Sequence, residues 1–158
     1  MKIAIWHNLP SGGGKRALYN HVRGLLERGH TLESWCPTTA DQSYLPLSDL
    51  IKEHRLPLQW PGPPESGPEK IKEAFGGVAR KLELMDEHCR RCAHEINLSG
   101  FDVLFANSCT FFRVTSIGRY SRLPRVLYLQ EPYRPLYEAM PRQVWAALPR
   151  PGTARSRH

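Results

Sequence analysis

The apolar positions along the chain change period several times, and the changes mark out elements. Lys2 to His7 carries the short run Ile3-Ala4-Ile5-Trp6, which predicts a buried first strand ahead of the turn-rich segment Asn8 to Gly14. Ala17, Leu18, His21, Val22, Leu25 and Leu26 then recur at helical spacing, and Gly29 stands where a glycine ends a helix. Thr31 to Cys36 predicts a second strand, closed by Pro37. Strand, glycine-rich loop, helix and strand within about 35 residues make a βαβ unit. The fold class expected is therefore α/β, a Rossmann-like parallel sheet flanked by helices.

The middle of the chain is less regular. Thr38 to Pro46 reads as loop, Arg55 to Trp60 as a short strand, and Pro61 to Pro68 as a mobile excursion rich in proline and glycine. From Glu69 to Leu98 an amphipathic helix is predicted, with Val78, Leu82, Cys89, Ala93 and Ile96 near one face and Gly76-Gly77 weakening or kinking it. Phe101 to Ala106 and Arg125 to Gln130 predict two more buried strands, joined through a helix over 110–121. Leu136 to Leu148 reads as a short helix and Pro149 to His158 as a disordered tail, so residues 1–148 are expected to form one domain.

Composition supports a real core: 41% hydrophobic residues over 158 positions is too apolar for a disordered chain. The net charge of +7 lies wholly at the C-terminal end, where residues 113–158 hold nine arginines against Glu131 and Glu138. That asymmetry argues against a nucleic-acid-coating surface and for an arginine-lined site or a charged tail. Four cysteines without a signal peptide point to a reducing, cytoplasmic setting rather than a disulfide framework.

Ligands of open parallel sheets sit beyond the carboxyl ends of the strands. The segments to search are His7 to Lys15, Cys36 to Asp41, Asn107 to Thr110 and Gln130 to Arg134. Ser11-Gly12-Gly13-Gly14 lets backbone amides approach a ligand and leads into a helix N-terminus, a natural place for an anion. Lys15 and Arg16 sharpen this, because cations in a first helical turn oppose the macrodipole and a bound anion relieves the conflict.

Sharper motifs fail at this loop. A Walker motif is excluded by Leu9 and Arg16 at its glycine and hydroxyl positions. Gly12-x-Gly14-x-x-Ala17 matches the dinucleotide pattern in letters, but no acidic residue ends the second strand near Cys36, which disfavours a nucleotide-dependent oxidoreductase.

His88-Cys89-x-x-Cys92-x-His94 has zinc-ligand chemistry, yet it falls inside the long predicted helix, with no second Cys-x-x-Cys, and reads as structural. Cys109 with His7 or His21 is a conceivable nucleophile and base that nothing in the sequence brings together. Glu131, Tyr133 and Arg134 follow a strand and suit sugar hydroxyls and an anion.

Several segments together resemble the N-terminal half of a family 4 glycosyltransferase of the GT-B fold. They are Lys2-Ile-Ala-Ile-Trp-His7, Ser11-Gly-Gly-Gly-Lys-Arg-Ala-Leu18, the run ending Leu26-Glu-Arg-Gly-His30, Phe101-Asp-Val-Leu-Phe-Ala-Asn107 and Leu127-Tyr-Leu-Gln-Glu-Pro-Tyr-Arg134. The resemblance covers residues 1–140, with 38–68 undiagnostic. It implies retaining transfer of a sugar from a nucleotide-sugar donor to a sugar or lipid-linked acceptor, with no metal and no further cofactor.

On that resemblance Gly12, Gly13, Gly14 and Lys15 would lie near the donor's phosphate and sugar. His7, Asn107, Glu131, Tyr133 and Arg134 would lie on the acceptor side. The chain departs from the family where Phe105 and Asn107 replace histidines and where Gln130 replaces the histidine before Glu-Pro. Asn107 can hydrogen-bond a sugar but cannot act as a general base.

The family's second, donor-binding lobe has no counterpart in 158 residues. The chain alone is therefore expected not to turn over, and reads as a fragment, a truncated reading frame or one subunit that meets a separate donor-binding domain. Peripheral contact with the inner membrane face fits such a role. The rival reading is a non-catalytic partner domain whose basic C-terminal region docks anionic lipid or an acidic protein.

Overall fold

The structure is a computed structural model that describes residues 1–60 and 67–130, with the backbone alone for 67–76. Its strands are β1 (Lys2–Asn8), β2 (Thr31–Pro37), β3 (Lys52–Leu56), β4 (Val103–Cys109) and β5 (Arg125–Tyr128). The helices are α1 (Gly13–Glu27) and α2 (Gly67–Leu98), with 3-10 turns at Leu47–Asp49 and Ile117–Arg119. Among the described residues the strands form one sheet in the order β3-β2-β1-β4-β5, every neighbouring pair parallel. The Rossmann-like α/β expectation is therefore met.

Alternation along β1 divides the core in two. Ile3 and Ile5 face α1, where they meet Leu18, Val22, Leu32 and Leu47. Ala4 and Trp6 face α2, where they meet Trp35, Met85, Cys92 and Ile96. Burying side chains such as Leu18 and Val22 stabilises by about 1.5–3 kcal/mol each. Packing, rather than capping, holds α1, because its start has no side-chain cap and no acidic residue in the first turn. Its end is the expected glycine stop: Gly29 has φ 79° and its N–H donates to the Leu26 carbonyl at 2.9 Å.

The chain runs outward from β1 to β2 and β3, then restarts beside β1 on the other side with β4 and β5. The order thus reverses between β1 and β4, and the crevice at the carboxyl ends of those two strands is where such sheets bind ligands.

Four expectations need correction. Residues 110–121 are not a helix but a tight turn followed by the Ile117–Arg119 3-10 turn. The segment is rich in poor helix formers, and the Thr115 hydroxyl accepts the Ile117 N–H at 3.2 Å, offering the backbone a competing partner. β3 begins three residues before the predicted Arg55 and ends at Leu56, because Pro57 has no N–H to continue the ladder. β5 is an exposed edge instead of a buried strand, with Val126 55% exposed. α2 begins at Gly67, two residues before the predicted Glu69, and is continuous through Gly76-Gly77.

Residues 61–66 of the proline-rich excursion lie outside the described residues. So do 131–158, which contain Glu131, Tyr133, Arg134, the predicted helix Leu136 to Leu148 and the predicted tail. No helix of the described residues is long and apolar enough to cross a membrane.

Candidate functional site

The loop after β1 is built around a backbone that only glycine adopts readily. Gly12 has φ 139° and ψ −164°, and its carbonyl accepts the Arg16 N–H at 3.1 Å, the first bond of α1. With no side chain capping this end, the first-turn amides are left for solvent or a ligand. Gly12→Ala meets no steric obstacle, yet it forces an L side chain into that region. It is expected to destabilise by about 1–3 kcal/mol, measured by urea unfolding, whereas Gly13→Ala, in open space at an ordinary φ, is expected to cost much less.

Beside this loop lies a cavity of about 580 Å³. The β1–α1 connection supplies Leu9 to Gly14 and Ala17, the end of β4 supplies Ser108 to Thr110 with Arg113, and the end of β5 supplies Tyr128 and Gln130. The cavity therefore occupies the crevice where the strand order reverses, and its volume falls in the roughly 300–1,000 Å³ range of small-molecule sites.

Two features close its walls. Gln130 reaches across from the end of β5 and donates from Nε2 to the Gly14 carbonyl at 3.1 Å. A Cβ at position 14 would stand 2.0 Å from Gln130 Oε1, so glycine is what allows that approach. On the β4 side, the Arg113 N–H donates to the Cys109 carbonyl at 2.8 Å and the Cys109 N–H to the Arg113 carbonyl at 3.2 Å. This turn holds Arg113 at φ 60°, an uncommon conformation for a side-chain-bearing residue. The Thr110 hydroxyl pins the same turn to the Asn8 carbonyl at 2.6 Å.

The electrostatics favour an anion. No carboxylate among the described residues lines the cavity, while Arg113 and the uncapped positive end of α1 both border it.

The sequence-nominated residues divide. Gly12, Gly13 and Gly14 line the cavity. Lys15 does not: its side chain is buried and its ammonium donates to the Asp41 carbonyl at 3.2 Å. Burial lowers the Lys15 pKa, against the opposing pull of Glu53. His7 is also buried, with Nε2 3.0 Å from Glu53 Oε1, and burial holds its imidazole neutral.

Burial alone would raise the Glu53 pKa, but the His7 hydrogen bond, the nearby charges and the Ser34 hydroxyl together hold it below the usual range. Asn107 is fully buried, with neither amide atom paired, one residue before the cavity wall. Ser108 and Thr110 fall in the Asn107 to Thr110 segment without any residue-level signal of their own, and Arg113 lies outside every segment that sequence reasoning nominates.

The remaining motif reads as core. His88, Cys89 and Cys92 are buried in α2, with Cys92 Sγ 3.4 Å from His88 Nε2, and His94 points outward. Burial pushes both thiols up in pKa. Cys109 borders the cavity, but its side-chain contact is with Asn8 Nδ2 at 3.5 Å rather than with a histidine. Compared with known protein families and with curated proteins, the chain matches no family model and no curated protein.

Proposed function

We propose that this chain is the acceptor-side lobe of a retaining glycosyltransferase, and that its cavity receives the phosphate and sugar end of a nucleotide-sugar donor. The observation that carries the reading is the position of the cavity, at the reversal of a parallel sheet, between an uncapped triglycine helix start and Arg113. A diphosphate leaving group gains negative charge as the glycosidic bond breaks. Amides of Gly12 to Gly14 and the Arg113 guanidinium are suited to stabilise that charge where water is partly excluded. Ser108, Thr110 and Gln130 supply the hydroxyl and carboxamide groups that a sugar needs for orientation.

In this reading Lys15 and His7 support the loop from beneath and touch neither substrate. Asn107 backs the acceptor wall. The partner implied is a second, donor-gripping lobe or subunit. The alternative, docking of anionic lipid or an acidic protein, rests on the nine arginines of residues 113–158, of which the five from Arg134 onward lie outside the described residues.

Calorimetric titration of the chain with uridine, guanosine and adenosine diphosphate-sugars tests the proposal. Binding of at least one is expected, weakened about ten- to hundredfold by Arg113→Ala, the cost of one charge-assisted hydrogen bond. Binding of none, or equal binding by Arg113→Ala, counts against it.

A further inference from the structure

Strand alternation brings an unusual set of side chains together on the α1 face. Ile5 pairs with Ser34 and Ser34 with Glu53 across β1, β2 and β3. Two residues beyond Ile5 and Ser34, on the same face, stand His7 and Cys36. A ring nitrogen of His7, Sγ of Cys36 and a carboxylate oxygen of Glu53 all lie within 4.8 Å of one another, the one such set among the described residues. His7 and Cys36 are fully buried, and the Glu53 side chain is 2% exposed. One oxygen of the set, Glu53 Oε2, has no hydrogen-bond partner and is free to turn toward a metal ion. Buried atoms left in that state are uncommon and ask for an explanation.

We propose that His7, Cys36 and Glu53 form a binding site for a zinc-like divalent metal ion, a site separate from the glycine-loop cavity and independent of the proposed donor chemistry. The donor set is one imidazole, one thiolate and one carboxylate, a combination zinc takes and magnesium or calcium does not favour. Bond lengths of about 2.0–2.3 Å in a tetrahedron put neighbouring donors about 3.3–3.6 Å apart, so donors within 4.8 Å of one another need to close by at most about 1.5 Å on binding.

His7 Nε2 and Glu53 Oε1 stand at 3.0 Å already, sharing a proton that the metal replaces. The displaced imidazole proton moves to Nδ1, and the Cys36 thiol gives its proton to solvent, so each metal bound releases one proton. Water completes the four ligands. The Ser34 hydroxyl, 3.3 Å from Glu53 Oε1, and the Gln42 amide, 3.9 Å from Cys36 Sγ, provide outer support. The Lys15 ammonium acts on both His7 and Cys36 and opposes the incoming cation, so the ligand bonds must outweigh that repulsion.

Cobalt(II) titration of the full chain, reduced and stripped of metal, tests this. Cobalt uptake is expected to release one proton and to give a thiolate-to-cobalt charge-transfer band with tetrahedral visible bands, which equimolar zinc then bleaches with no further proton release. Cys36→Ser removes the charge-transfer band, while Cys92→Ser and Cys109→Ser keep it. His7→Gln, with folding checked by circular dichroism, weakens the visible bands as a second route should Cys36→Ser not fold. No bands in the unsubstituted chain, cobalt uptake by the metal-free chain without proton release, or a charge-transfer band that survives in folded Cys36→Ser overturns the proposal.

Discussion

Glu53→Ala is expected to destabilise the fold by about 3–5 kcal/mol, because it removes one partner from a buried charged cluster and leaves the others in place. Glu53 bonds His7 Nε2 at 3.0 Å and the Ser34 hydroxyl at 3.3 Å. It is also the charge that acts most strongly on the buried Lys15. Without it the Lys15 ammonium faces the apolar interior with the Asp41 carbonyl as its hydrogen-bond acceptor, and His7 loses its partner.

The double substitution Lys15→Met with Glu53→Leu removes both charges together. It is expected to recover most of that loss, since a buried pair replaced by apolar groups is often close to neutral. Urea unfolding of Glu53→Ala, Lys15→Met and the double variant gives the comparison. Additive losses would show that Lys15 and Glu53 do not act on one another.

Acid is expected to loosen the α2 side of the core well before carboxylates titrate generally. Burial, with a smaller contribution from Arg91, lowers the His88 pKa from 6.5 to about 4. Below 6.5 the unfolded chain takes up a proton on His88 that the folded chain refuses until about 4. The unfolded state therefore binds more protons in that window, and stability falls as pH falls through it. Each tenfold difference in proton affinity between the two states is worth about 1.4 kcal/mol, so the full effect is about 3 kcal/mol.

His7, whose pKa burial also lowers, adds a loss of the same sign below 6.5. Glu53, held below its ordinary 4.5, adds another as pH falls through its folded value. Thermal unfolding between pH 7 and 4 reads mainly the two histidines, with Glu53 entering only below 4.5. His88→Leu is expected to flatten the profile, and an unchanged slope in that variant would show that His88 does not carry the loss.

How legible the fold is depends on where polar groups find their partners. β1, α1 and β2 follow from apolar period alone, because their buried faces are made of Ile3, Ile5, Leu18, Val22 and Leu32. β3 escapes that reading because its sequence, Lys-Glu-His-Arg-Leu, carries charges that are satisfied internally. His54 stacks on Trp35 at 4.2 Å and meets Glu33 at 2.6 Å, while Glu53 meets His7. No hydrophobic alternation remains there to read.

The site is legible in the same uneven way. The triglycine loop announces itself by composition. Arg113, Ser108 and Thr110 reach the cavity only through the pairing of β4 with β1 and the shift in register between Trp6 and Asn8, which a local pattern does not record.

Lys15 is the instructive difference. Its place in the first helical turn suggests an outward cation aiding the phosphate, yet it shares the face of α1 with Leu18 and Val22 at i+3 and i+7. That spacing is present in the sequence and places the side chain against the sheet, where a buried Lys-Glu-His cluster replaces an expected surface charge.

Joint binding of a nucleotide-sugar by the triglycine start of α1 and the end of β4 can be read residue by residue. The measurement is the amide chemical shifts of the nitrogen-15-labelled chain, followed during titration with the nucleotide diphosphate-sugars. Concentration-dependent shifts are expected at Gly12, Gly13, Gly14, Ser108, Arg113 and Gln130, with little change along α2. Shifts absent from those glycines, or concentrated instead around Pro57, Arg90 and His94 at the opposite edge of the sheet, would contradict the glycosyltransferase reading of the cavity.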